Sequence, residues 1–131
     1  MRTRTRDRTL KRWLGLTGIA YAAGAAVFLA RPQDAPEALS LAGGERLPYE
    51  EPSLYHALAG AYMVTIAALA LGAAGAPEER RALVPPLMAA KAASSAALLY
   101  RYSTTGRRGY ALASALDAAI LGITTALYVR R

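Results

Sequence analysis

Apolar residues run along this chain in blocks too long for an ordinary soluble core. From Trp13 to Ala30 there are 18 residues without a charged side chain, and from Pro52 to Pro77 there are 26. Ala82–Tyr100 and Gly109–Val129 add blocks of 19 and 21 residues, each interrupted once, by Lys91 and by Asp117. A hydrocarbon core about 30 Å thick takes roughly 20 residues of helix. The pattern therefore predicts an all-α fold, an integral membrane four-helix bundle with spans over about 13–30, 53–76, 82–101 and 109–129.

A soluble bundle rich in alanine is the competing reading. A soluble helix needs charged or polar residues recurring at i, i+3, i+4 and i+7. The first two blocks offer only Thr17, Tyr21, Ser53, Tyr55, His56, Tyr62 and Thr65 as polar residues, too few to face water over four or five turns. A basic start followed by an apolar run also resembles a cleavable signal peptide. The run here exceeds the usual apolar region of about 7–15 residues, and a cut at Gly24–Ala26 would fall inside it, so a retained first helix is expected.

Proline punctuates the blocks. Pro32 and Pro36 stop the first helix, Pro52 opens the second at a favoured first-turn position, and Pro77 closes it. Either the third span begins at Pro85-Pro86, or it begins near Arg81 and bends at the pair. The loop over 31–51 is the only long one, and within it Ala38–Ala42 is expected to form a short turn on the membrane surface.

Charge then sets orientation. The chain has 131 residues, 16 Lys+Arg against 9 Asp+Glu and a net charge of +7. Residues 1–12, the Pro77–Arg81 loop and the C-terminus hold ten Lys+Arg, against five in the loops on the other side. The positive-inside rule predicts N-in/C-in, with 1–12 a basic cytoplasmic segment and 31–51 an extracytoplasmic loop. Arg101, Arg107 and Arg108 in the third loop pull mildly the other way. Trp13 and Tyr128 fall at one predicted boundary and Tyr49, Tyr55, Tyr100, Tyr102 and Tyr110 at the other, as aromatic belts do. Fourteen arginines against two lysines point to a GC-rich bacterial genome, hence the plasma (inner) membrane.

Composition removes several classes of chemistry. With no cysteine there is no disulfide framework, Cys-type zinc site or thiol nucleophile. One histidine, His56, excludes a multi-His metal site within a single chain, and no metal or cofactor is expected. The arginine-rich start runs straight into a span, so an anionic bilayer surface explains it without nucleic acid. The lipid bilayer is the expected partner, together with a homo-oligomer or a larger membrane protein. Close helix packing is expected from Gly18 with Ala22, Ala20 with Gly24, Ala57 with Ala61, and the Ala89–Ala97 region.

Lys91 and Asp117 are the residues that demand an explanation. Each costs about 2.5–3.5 kcal/mol alone at a helix centre. They lie nearly symmetrically about the Arg101–Gly109 loop, which predicts a salt bridge across the last hairpin. Ser94 and Ser95 follow Lys91 by one turn, and Ser114 and Thr124 share a face with Asp117, placed to satisfy what the pair leaves open. With His56 and Tyr62 from the second span, these residues form the candidate site: Lys91, Asp117, Ser94, Ser95, Ser114, His56 and Tyr62.

The leading expectation is a small, non-enzymatic polytopic membrane protein whose Lys91–Asp117 pair forms a small-solute, ion or proton site. The alternative is a structural or assembly subunit in which the pair only fixes helix register. A membrane enzyme using His56 is third. Ser94 or Ser95 with His56 and Asp117 would supply triad residue types, but no nucleophile elbow accompanies them. The chain resembles the small four-helix multidrug transporters in size and span count only, since no carboxylate stands between Trp13 and Ala30.

Overall fold

The structure, a computed structural model, describes residues 2–47, 54–76, 79 and 81–129, and the side chains of residues 2–4, 6 and 54–56 lie outside that description. Among the described residues there are five α-helices and no strand. They are α1 (Arg2–Ala30), α2 (Asp34–Gly43), α3 (Leu54–Gly75), α4 (Val84–Thr105) and α5 (Arg108–Val129), with a 3-10 turn at Arg81–Leu83 before α4. Four segments are long and apolar enough to cross a membrane: Asp7–Ala30, Ala57–Gly75, Arg81–Thr105 and Arg108–Val129. Their surfaces are apolar as well. Leu16, Ile19, Leu58, Leu99 and Leu116 are each more than half exposed, which is costly in water and ordinary in lipid.

Several boundaries differ from those read off the pattern. The basic segment is helical, because α1 begins at Arg2 and continues unbroken into the apolar block. Arginine and lysine are good helix formers, and Leu10 and Leu14, at 2% and 0% exposure, anchor this part of the helix on the core. The turn expected at 38–42 is a ten-residue helix instead. Asp34 and Glu37 sit in its first turn, where the macrodipole favours acids. Gly44, at φ 67°, ends it in the left-handed conformation that glycine adopts without strain. The last hairpin is tighter than the Arg101–Gly109 loop suggested. Helix α4 runs to Thr105, Gly106 at φ 68° reverses the chain, and α5 starts at Arg108. Pro85 and Pro86 fall in the first turn of α4, directly after the 3-10 turn at Arg81–Leu83. Pro52 and Tyr49 lie outside the described residues.

Contacts between the helices give the topology. Leu71 packs over Gly18, Met63 over Gly24 and Leu29 over Gly60. Residue numbers therefore rise on α1 as they fall on α3, and the two are antiparallel. The same reversal holds for α4 with α5, where Ser95 meets Ser114 and Lys91 meets Asp117. Tyr62 to Ala90 joins α3 to α4, and Trp13 to Thr124 closes α5 onto α1. The result is an up-down-up-down ring in the order α1, α3, α4, α5. Of the small residues expected to pack, Gly18 and Gly24 do so and are joined by Gly60. Ala20, Ala22, Ala57 and Ala61 face outward, as do Ala89, Ala92, Ala93, Ala96 and Ala97.

The close-packed core lies toward the end of the bundle that holds the N-terminus of α1 and the C-terminus of α5. Leu10, Leu14, Ile66, Ala70, Ala73, Val84 and Leu87 are buried there against one another. Arg81 closes this end. It donates to the Tyr128 carbonyl at 2.7 Å and stacks 4.7 Å from the Tyr128 ring, satisfying a carbonyl of the last turn of α5. At the opposite end α2 lies across the start of α5. A Cβ on Gly43 would stand 2.9 Å from the Gly109 nitrogen, Leu47 covers Gly109, and Glu45 accepts from the Arg108 N–H at 3.4 Å.

The atom facing Gly43 is backbone and cannot yield. Gly43→Val is therefore expected to lift α2 off α5, at a cost of about 1–3 kcal/mol for the docked state. Hydrogen exchange should show the α2 amides losing protection while those of α3 and α4 keep theirs. By contrast, a Cβ at Gly122 meets nothing within 4 Å. Gly122→Ala should raise resistance to denaturant by up to about 1 kcal/mol, through helix propensity alone.

Candidate functional site

Four of the five helices contribute to one polar cluster at mid-bundle. The spacing of polar residues places it. On α1, Trp13, Thr17 and Tyr21 recur every four residues and share the inward face. On α4, Lys91, Ser94 and Ser95 fall within one turn. On α5, Ser114, Asp117 and Thr124 lie on one stripe. Antiparallel packing then brings Tyr21, Lys91 and Asp117 to the same level.

Lys91 is 1% exposed and Asp117 7%, so both charges are withdrawn from solvent. The Lys91 ammonium donates to Asp117 Oδ1 at 2.8 Å and also to the Tyr21 hydroxyl. That hydroxyl donates in turn to Asp117 Oδ1 at 3.2 Å. The Ser94 hydroxyl donates to Asp117 Oδ2, so both carboxylate oxygens are used. The ammonium lies 4.1 Å from the Tyr21 ring centroid and 5.6 Å from that of Tyr62. Two aromatic faces thus stand where water would otherwise solvate the cation. Tyr62 is held in place by donating to the Ala90 carbonyl at 3.0 Å.

The predicted salt bridge is present, and Ser94 supports it as the i+3 spacing implied. Ser95 and Ser114 do something different. They bond to each other, with Ser95 Oγ to the Ser114 carbonyl at 3.0 Å and Ser114 Oγ to the Ser95 carbonyl at 2.8 Å. This is a reciprocal α4–α5 clasp one turn from the pair on the α2 side. Thr124 does not reach Asp117 either. Two turns away along α5, it accepts from Trp13 Nε1 at 2.9 Å and donates to its own Ile120 carbonyl. Trp13, expected at a membrane boundary, thus hydrogen-bonds from the inward face of α1. His56 lies on the first turn of α3, and its expected role falls outside the described side chains.

Tyr21 is the participant that the sequence pattern offered only as one of the few polar residues of the first block. Its signal was the four-residue recurrence of Trp13, Thr17 and Tyr21, which puts it on a polar stripe of its own. Tyr21, Tyr62, Ser94 and Asp117 stand around the ammonium of Lys91, a residue 1% exposed. An open groove does exist beneath α2, lined by Pro36, Leu41, Arg46, Leu47 and Arg107 among others, but it does not reach the pair. No protein-family model, curated protein or solved structure matches this chain.

Removing one member of such a pair strands the other charge. Asp117→Leu and Lys91→Met are each expected to lose about 3–5 kcal/mol of stability, whereas Lys91→Met combined with Asp117→Leu should recover most of it. Denaturant titration of the four forms, read by helical circular dichroism, gives the coupling directly. A double variant no more stable than either single one would contradict this account of the pair.

Proposed function

We propose that the chain is a multi-pass membrane protein, non-enzymatic, and that its Lys91–Asp117 pair fixes the register of the helices in a structural or assembly subunit. One observation carries this reading: both carboxylate oxygens and two of the three ammonium N–H groups are met from within the same chain, through Tyr21, Ser94 and the ion pair itself, with the Tyr21 and Tyr62 rings beside the cation. A site built to exchange solutes or ions keeps some of that coordination for its cargo. Closure of the shell favours a permanent fastening.

The lipid setting rests on four apolar segments and on large apolar side chains exposed around the bundle. The excess of Lys+Arg on the side of both termini supports N-in/C-in, and the arginine-rich composition supports a bacterial inner membrane. An assembly role accords with the outward face of α4. From Ala89 to Ala97 it exposes only methyl side chains, over which another helix can approach closely.

A proton- or ion-handling role is the second reading. It is favoured by the hydroxyls of Tyr21 and Ser94, which carry exchangeable protons directly against Asp117. Vesicles separate the two. If the pair is a fastening, vesicles containing the parent protein and those containing the Lys91→Met, Asp117→Leu double variant should hold an imposed pH gradient equally well. Faster collapse with the parent alone would overturn the structural reading. The membrane setting itself predicts that the chain stays in the pellet after alkaline carbonate washing and needs detergent for release.

A further inference from the structure

The outward face of α1 has a composition unlike any other in the bundle. Arg8, Lys11 and Arg12 are exposed at its start, followed on the same face by Gly15, Leu16, Ile19, Ala22, Ala23 and Ala26. The buried positions Leu10, Leu14, Thr17 and Tyr21 fix the rotation of the helix, so this face points away from the other helices. Three cations within five residues repel one another at i, i+3 and i+4. The first turn of α1 holds no acid that could offset them. Among the described residues none of the three makes an ion pair, and Asp7, the sole acid of α1, is not bonded to them. The helix nevertheless continues through them without a break.

We propose that this face is a seat for an anionic phospholipid of the leaflet at the N-terminal end of α1. Its phosphate lies among Arg8, Lys11 and Arg12, and its acyl chain along Gly15 to Ala26. The anion relieves the mutual repulsion of the three cations. Below it, Leu16 and Ile19, each 64% exposed, offer apolar contact, and Gly15 leaves a dent with no atom within 4 Å of where its Cβ would stand. From Gly15 to Ala26 the helix rises about 17 Å, close to one leaflet of a hydrocarbon core about 30 Å thick. Charge, order along the helix and length all match one lipid molecule lying headgroup-first. The inference rests on the membrane reading and adds the lipid class and its position.

The test uses the full chain, purified in a zwitterionic detergent and titrated with fluorescent phosphatidylglycerol or phosphatidylcholine. The parent should prefer phosphatidylglycerol. Arg8→Gln, Lys11→Gln and Arg12→Gln together should weaken that lipid about 100-fold, from roughly fivefold per cation near an anionic surface, and leave phosphatidylcholine unchanged. Arg101→Gln with Arg107→Gln, at the other end of the bundle, should change neither. If the triple variant loses its helical circular dichroism, the three single variants replace it, each expected to weaken phosphatidylglycerol two- to fivefold. Equal affinity of parent and variants for phosphatidylglycerol overturns the seat, as does a parent with no preference between the lipids. Displacement of phosphatidylglycerol by equimolar glycerol phosphate would make this a free-phosphate site instead. Recovery of the chain from cells without detergent sinks the membrane reading, and the seat with it. A membrane-retained chain with no lipid preference sinks the seat alone.

Discussion

Burying an ammonium is the constraint around which the middle of this bundle is arranged. A lysine that is 1% exposed has surrendered its water, and the lost solvation, several kcal/mol per ion, must be returned by groups held at bonding distance. Here the return comes from every long helix. Asp117 on α5 supplies the counter-charge, Tyr21 on α1 a hydroxyl and a ring, Tyr62 on α3 a second ring, and Ser94 on α4 holds the carboxylate from behind. None of these groups can shift along its helix without uncovering a charge. The cluster therefore couples four elements that the chain joins only by loops.

The two halves of the molecule on either side of this layer are held by different means. Toward the chain termini, interlocking aliphatic side chains from Leu10, Leu14, Ile66, Val84 and Leu87 make a close-packed core, and Trp13 and Arg81 fasten α5 with hydrogen bonds. On the other side, small and polar contacts take over. Ser95 clasps Ser114, and Gly43 lies against the backbone at Gly109. Helix α2 is tied there through Glu45, and its groove presents Arg46 and Arg107 at the surface.

Much of this was legible in the sequence, for identifiable reasons. Charge-free length reports helices without knowledge of neighbours, so the four long elements were readable. The Lys91–Asp117 pair was readable because an antiparallel hairpin fixes which levels meet, and Ser94 followed from the i+3 rule. The ends of elements were less legible. Nothing in the charge pattern says that Arg2–Arg12 is helical, since that depends on Leu10 and Leu14 finding partners on α3 and α4. The tight reversal at Gly106 was hidden because hydroxyl residues before it, which read as loop, bond back to Tyr100 and Arg101 and extend α4. Tyr21 was missed because a contact between α1 and α5 depends on how the ring closes, and spacing within one helix cannot report that. Ser114 and Thr124 were assigned to Asp117 by proximity on the helix, but each had a nearer partner on a facing helix.

The use of an ion pair, where a leucine pair would be easier to bury, follows from the rest of the composition. Alanine and glycine dominate the helix surfaces, and methyl-sized side chains fit against one another almost equally well at several registers. In the proposed lipid setting, apolar burial would not discriminate among those registers either, because acyl chains solvate the alternatives as well as protein does. A slip of one helical turn, 5.4 Å, changes little for an alanine face but pulls Lys91 away from Asp117 and Tyr21 together. On the proposed reading, the charged pair contributes more to uniqueness than to net stability. That division of labour explains why it sits at the level where all four long helices can reach it and not at either end, where a single loop would fix the register of two helices alone.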